Sequence, residues 1–439
     1  MTEQPAARSQ PPATYREVFA VHEFRYLFLG YLLSLIGDEL VRVALAVLVF
    51  ESTNSPFLAA ATFGISYAPW VLGGPVLSTL ADRLRRRRVL VGSDLARGTV
   101  VACLAIPGLP LWLMLVMLFV ASLFAPPFES ARSALLPDVL EGDRYAVGTS
   151  LTGISAQVAQ VLGFVGGGVL VLAISARGAL LVDAATFFIS AALVRWGVED
   201  RPVAVDPTAA PASLWHDTVD GLRVLTRNKL LLRIVGLLWV GQLFVTAPEG
   251  VAVPFVAEFG HGPIGVGLFL AANPVGLIIG GVVIGRLCPP VLREKLTYPL
   301  ALFSVVPLIL AGLIDNFAAV LVLFALSGFG ASYLIPLNVS FVRTVPAAYR
   351  GRAFGVAVSG LYACQGLAIV SAGTAAEWMS ASAVVTSSGL LGLLALLLLG
   401  ISRLRGDGRQ PATDPPDEPD LSDGSAPLTP ESQRSGTIE

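Results

Sequence analysis

The feature that most constrains this chain is a succession of apolar runs, each long enough to cross a bilayer. A hydrocarbon core of ~30 Å needs about 20 helical residues. The runs fall at roughly 26–50, 57–80, 89–109, 111–131, 150–174, 178–197, 234–256, 264–287, 297–314, 317–341, 353–376 and 382–401. They are apolar on every side and do not alternate, so they predict helices and not the strands of a β-barrel. Within lipid a helix satisfies every backbone N–H and C=O inside its own segment. Composition points the same way: only 14% of residues are charged, against about 25% in soluble domains. The expectation is an all-α membrane protein with twelve transmembrane helices. The first run, from Tyr26, is too long for the core of a cleavable signal peptide.

Charge orients the spans. With the N-terminus in the cytoplasm, 26 of the 29 Lys and Arg fall in inside segments. Arg177 is the one outside, and Arg42 and Arg97 lie within spans. Cytoplasmic loops carry such an excess, so both termini are expected inside. The cluster Arg83, Arg85, Arg86, Arg87 and Arg88, in a tight loop between spans 2 and 3, anchors that orientation. Its position argues against a nucleic-acid partner.

The expected divisions are a cytoplasmic N-terminus (1–25), a six-helix unit (26–197), a cytoplasmic loop (198–233), a second six-helix unit (234–401) and a disordered tail (402–439). In the loop, Leu214, Val219, Leu222 and Leu225 recur at helical spacing, predicting a short interfacial helix. The tail is rich in Pro, Asp, Glu, Ser and Gly and cannot bury a core. The two units echo each other. "GGPVLSTLADRL" from Gly73 matches "GGVVIGRLCPPV" from Gly280, and "EGDRYAVG" matches "YRGRAFGV" on aligning Arg144 with Arg352. The offsets, 207 and 208, agree within one residue and imply a duplicated six-helix unit of a kind found in one transporter architecture.

Several stretches carry a family resemblance. "LADRLRRRRVL" resembles the loop 2–3 signature of the major facilitator superfamily, G-x-L-A-D-R-x-G-R-R-x-x-L. Ala81, Asp82, Arg83, Arg86, Arg87 and Leu90 match, while Ser78 and Arg85 stand where glycine is usual. "GDELVRVALAVLVFE", "SDLARG", "ARSALLPDVLEGDR" and "PAAYRGRAFG" are similar to the drug-exporter branch that includes macrolide efflux pumps and the enterobactin exporter. The likeness covers roughly residues 15–400. It implies two pseudo-symmetric six-helix bundles and alternating access. It also implies export of a small molecule (drug, natural product or siderophore) in exchange for protons, by a monomer in a bacterial cytoplasmic membrane. In span 5, "GFVGGG" keeps the packing glycines Gly163, Gly166 and Gly167 of an antiporter motif, with Phe164 where proline is usual. By the same resemblance Asp82 and Arg83 form a cytoplasmic gate. Arg350 and Arg352, at the start of span 11, present positive charge and a helix N-terminus to Asp82.

Charges inside spans are costly, at least ~2.5–3.5 kcal/mol each on insertion scales. Asp38 lies roughly 18 Å along span 1 by helical rise, near the midplane. Arg42, at i+4, is its expected partner. Asp94 and Arg97, at i, i+3, make a second pair. These four, with Glu249 in span 7, are the proton-coupling candidates, Asp38 leading. The alternative for each pair is a helix-packing staple.

Other classes are weaker. The three cysteines are dispersed, with no C-x-x-C and no metal-binding spacing. There is no G-x-S-x-G or H-E-x-x-H, and neither Lys229 nor Lys295 follows a glycine as a Walker A loop requires. Enzymatic activity, cofactors and metals are therefore not expected. The remaining alternatives are an ion-coupled symporter importing a solute, and a transporter-like sensor or scaffold.

Overall fold

Every regular element is helical in the computed structural model, which describes residues 14–72, 84–201, 214–346 and 349–407. In order these are α1 (Tyr15–Ala20), α2 (His22–Thr53), α3 (Pro56–Ile65), α4 (Ala68–Leu72), α5 (Arg86–Leu104), α6 (Leu111–Ser122), α7 (Ala125–Val139) and α8 (Asp143–Gly197). There follow α9 (Leu214–Arg227), α10 (Lys229–Thr246), a 3-10 turn (Ala247–Val251), α11 (Ala252–Glu258) and α12 (Pro263–Val282). A π turn (Val283–Leu287), α13 (Pro290–Ala311), α14 (Phe317–Ala331), α15 (Leu334–Thr344), α16 (Arg350–Ala375) and α17 (Ala381–Asp407) complete the chain.

Helix starts follow local chemistry. Ser55, Asn228 and Asn316 accept N–H groups of the first turns of α3, α10 and α14, supplying acceptors the helix lacks. Proline occupies the first turn of α3, α12 and α13, where its missing N–H costs nothing. Asn54, in the left-handed region at φ 53°, ends α2, as an Asn can.

Eight described helices are long and apolar enough to cross a membrane. One of them, α8, holds two crossings. At Ser175 the backbone leaves helical geometry (φ 72°, ψ 163°). Before it, Gly163 and Gly167 meet α2 at Ile36 and Val43; after it, Gly37 meets Asp183 and Gly30 meets Ser190. The first limb therefore runs parallel to α2 and the second antiparallel. The helices α2 and α5, which carry the intramembrane charges, cover expected spans 1 and 3. Span 2 is described only as far as Leu72, and the rest of it, with Asp82 and Arg83, lies outside the described residues. The matched motif from Gly73 lies there too. The duplication is legible elsewhere. The α6–α7 break at Leu123 and the α14–α15 break at Ser332 are 209 residues apart, close to the sequence offset.

Two boundaries differ from expectation. Helix α5 begins at Arg86, not residue 89, so Arg86, Arg87 and Arg88 form its first turn. Cations are unfavourable at a helix N-terminus. Nearby acids offset them: Asp138 of α7 pairs with Arg86, and Asp200, just past the end of α8, with Arg85 at 2.8 Å and Arg87 at 3.4 Å. The hydrogen bond from Arg85 holds the Asp200 carboxyl below the usual carboxylate range. The arginine run is thus also a tie between helix ends. At the other terminus, α17 continues helical to Asp407, past the end of span 12 expected at 401. The expected tail beyond it lies outside the described residues.

Residues up to Gly400 form one unit, whose apolar core is divided unequally. One large cluster includes Leu40, Phe63, Phe164, Val251, Phe269, Phe324 and Ile369, drawn from both halves of the chain. It lies at the end opposite the arginine run. Toward the arginine end the core splits. Phe24, Leu90, Leu135 and Val194 belong to a cluster of the first half. Leu231, Ile284, Tyr333 and Leu396 belong to a cluster of the second. The helix α9 packs on the start of α16, with Gly221 against the Arg352 carbonyl and Leu225 buried.

Candidate functional site

Where the shared core gives way to two separate ones, a cavity of about 430 Å³ lies between the halves. That is within the common range for small-molecule pockets. Asp38, Glu39, Arg42 and Arg97 line it from the first half, and Gln242, Glu249, Asn273 and Gln365 from the second. Tyr67, Trp70 and Tyr362 form an aromatic wall: Trp70 and Tyr362 have ring centroids 4.8 Å apart, Tyr67 and Tyr362 5.9 Å.

The structure corrects the expected pairings. Asp38 does not pair with Arg42. Its carboxylate forms an ion pair with Arg97 of α5. Arg42 turns instead to Glu39, at i−3, with 3.0 and 3.3 Å from Nη1 to the two carboxylate oxygens. The guanidinium of Arg42 also lies over the Tyr67 ring, 5.3 Å from its centroid. Helical spacing allows Arg42 either partner. What decides is Arg97, whose side chain is only 5% exposed and needs a counter-charge that the neighbouring helix supplies.

Asp94 and Arg97 are not a self-contained pair either. Their closest N–O distance is 4.0 Å. Asp94 is fully buried and accepts from Ser190 at 2.5 Å and Ser34 at 3.3 Å, while Arg97 donates to Ser34 at 3.1 Å. The Arg97 guanidinium stacks on Phe187 at 4.4 Å. The unit is a network across α2, α5 and the second limb of α8, of which Asp38 is the member most open to the cavity.

Gly163 and Gly167 stand on the seam where α2 and the first limb of α8 pack together. A Cβ on Gly163 would lie 2.8 Å from the Ile36 carbonyl oxygen, and one on Gly167 3.1 Å from Val43 Cβ. Gly166 differs from the expectation: a Cβ there meets nothing within 4 Å, because it faces away from the α2 seam. Of the expected gate, Arg350 donates to the Val345 carbonyl at 3.4 Å and Arg352 to Asp220 at 3.4 Å. Arg132 of α7 is buried, pairs with Glu129 and lies 4.0 Å over the Tyr31 ring.

Sequence reasoning missed Asp183. It is fully buried, Thr186 donates to its Oδ1 at 3.2 Å, and its Oδ2 has no partner among the described residues. The signal was present, since a lone acid inside an apolar span deserves the same suspicion as Asp38. The aromatic wall left no comparable signal, because tyrosines and tryptophans within spans are common. No group of His, Cys, Asp and Glu placed to hold a metal occurs among the described residues.

Comparison with known proteins places these features. The family profile described as Major Facilitator Superfamily matches residues 27–297. The Bacillus subtilis protein YfiS, an uncharacterized MFS-type transporter, is 27% identical over 393 residues, covering 85% of this chain and 90% of its own. Macrolide efflux protein A of Streptococcus pyogenes is 26% identical over 280 residues, or 60% of this chain and 66% of its own. Among solved structures, a peptide transporter POT in complex with sulfate superposes with a TM-score of 0.69. It is 14% identical, with 90% of this chain and 97% of that one covered.

Proposed function

Since the chain belongs to the Major Facilitator Superfamily and is a multi-pass membrane protein, we propose that it exports a small molecule by alternating access, in exchange for protons. The observation that carries this reading is the divided core. A cavity walled by both halves is closed at one end by a core they share and flanked at the other by two separate ones. Rocking one half against the other exchanges which end is joined, as in transporters built from two such repeats. By the distribution of positive charge the parted end faces the cytoplasm, where an exported substrate is picked up. On this reading the protein works as a monomer in a bacterial cytoplasmic membrane with both termini inside.

Coupling rests on Asp38. Its carboxylate reaches the cavity and neutralises Arg97 on another helix. A proton delivered to Asp38 removes that charge and frees Arg97, altering the contact between α2 and α5. The similarity to macrolide efflux proteins supports export of a drug-like or natural-product molecule.

The test is expression in a bacterium lacking its own efflux pumps, with accumulation of a panel of antibiotics and dyes measured. Lower accumulation of at least one compound, abolished by a protonophore, is expected. Greater accumulation driven by the proton gradient would mean import by symport and overturn the reading. So would an unchanged panel.

A further inference from the structure

Counted as ionised, the groups that line the cavity leave one negative charge over. Three carboxylates line it, Asp38, Glu39 and Glu249, against two guanidiniums, Arg42 and Arg97. Both guanidiniums are taken: Arg97 by Asp38 and Arg42 by Glu39. Glu249 remains. It sits on the 3-10 turn Ala247–Val251 with no hydrogen bond or ion pair of its own among the described residues. Arg42 acts on it electrostatically but is committed to Glu39 at 3.0 Å. An ionised carboxylate in a pocket that closes off from water needs a positive partner.

A second, independent feature points to what supplies that charge. The aromatic wall already holds one cation, Arg42, over Tyr67. Trp70 and Tyr362 continue that wall into the cavity. Faces of tryptophan and tyrosine attract cations and stack on flat apolar bodies. Two cavity-lining amides also keep buried atoms without partners among the described residues, Gln157 Oε1 and Asn273 Nδ2, so the site offers polar contacts as well.

We infer that the cavity takes a monocation with a flat apolar body. Its charge is balanced by Glu249, and its body lies against Trp70 and Tyr362. An anion of similar size meets one excess negative charge, and a neutral molecule leaves Glu249 buried alone. The inference rests on reading this cavity as the substrate site and assigns Glu249 to substrate charge, not to proton carriage.

The experiment is equilibrium binding to the purified full chain in lipid nanodiscs, with ethidium as the cationic probe and fluorescence polarisation as readout. It needs no proton gradient. Glu249→Gln is expected to weaken ethidium binding by roughly tenfold or more, the loss of a desolvated charge partner, and Glu249→Asp to restore most of it. Trp70→Ala is expected to cost about threefold. A neutral dye, Nile red, should bind Glu249→Gln at least as tightly as the wild type. Unchanged ethidium affinity in a monodisperse Glu249→Gln protein overturns the inference. So does competition by an anionic dye as effective as by a second cation, or a wild type that binds no ethidium. Glu249-dependent binding without proton-driven transport would sink the export reading and leave this one standing. Proton-driven export indifferent to Glu249 would do the reverse.

Discussion

Asp38 and Arg97 face each other across two helices, and the consequences of removing them are unequal. Asp38→Asn keeps a hydrogen-bonding side chain and leaves Arg97 beside Asp94. It is expected to fold, to reach the membrane in normal amount and to lose pH-driven export. Export by the Asn variant against a gradient, as strong as wild type, would dismiss Asp38 as the coupling acid. Arg97→Leu leaves Asp38 and Asp94 without a counter-charge. A broken buried pair costs about 3–5 kcal/mol, so membrane abundance should collapse. Asp94→Asn is milder, about 1 kcal/mol, because Ser190 and Ser34 still find an acceptor there. Melting temperatures in detergent would rank the variants. Equal losses for Arg97→Leu and Asp94→Asn would contradict the asymmetry.

At the scale of elements, helix ends do more than terminate. Glu377, after α16, accepts from Ser55 Oγ at 2.6 Å and the Phe57 N–H at 3.0 Å. It thereby caps the start of α3 across the two halves. Within the second half, Glu258 caps α17 through the N–H groups of Ala381 at 2.7 Å and Ser382 at 3.2 Å. The Ser55 hydroxyl and then the Phe57 N–H hold the Glu377 carboxyl below its ordinary 4.5. A lowered value means the cap contributes fully above that ordinary value and is lost only as pH falls through the lowered one. From about pH 8 down to 5.5 it should therefore be constant. Glu377→Gln removes the charge and should favour opening of this end. Labelling of a cysteine placed in the cavity, applied from the side of that end, should rise in the variant. Labelling that climbs steadily in the wild type between those two pH values would refute the assignment. Ser175 is a different case. Its φ of 72° with ψ of 163° is a region glycine tolerates and other residues reach at a cost of order 1–3 kcal/mol. Ser175→Gly should raise the melting temperature or leave it unchanged, and a clear drop would mean the Ser175 hydroxyl, 3.4 Å from the Gly178 N–H, matters more than the backbone.

For the whole molecule, the shared core at one end and the divided core at the other describe one of two arrangements that a rocking transporter must visit. Ser55 and Glu377 lie on opposite halves at the joined end. Replacing both with cysteine and bridging them with a short thiol-reactive cross-linker should stop transport, with reversal on reduction of a cleavable linker. Undiminished transport by the cross-linked protein would mean that this end need not open. The charge distribution adds an asymmetry. Shifting by the repeat offset of 208 places Leu302, Val305 and Leu391 at the positions of Asp94, Arg97 and Asp183. The buried charge network belongs to the first half, and the second contributes Glu249.

The amino-acid sequence by itself determined the helical class, the succession of spans and the presence of costly charges at Asp38, Arg42, Asp94 and Arg97, and its loop charges set the expected orientation. These follow from local quantities: apolar length against bilayer thickness, loop charge, and the depth of a residue along its own helix. Only the tertiary structure decided which charge answers which. Residues three and four apart on a helix compete for the same partner with differences of a few tenths of a kcal/mol. A guanidinium buried on a neighbouring helix outweighs that margin, so Asp38 goes to Arg97 and Arg42 to Glu39. The same holds for Glu249 and the wall of Tyr67, Trp70 and Tyr362. They are spread across three spans, and nothing local to any of them says that they border one cavity.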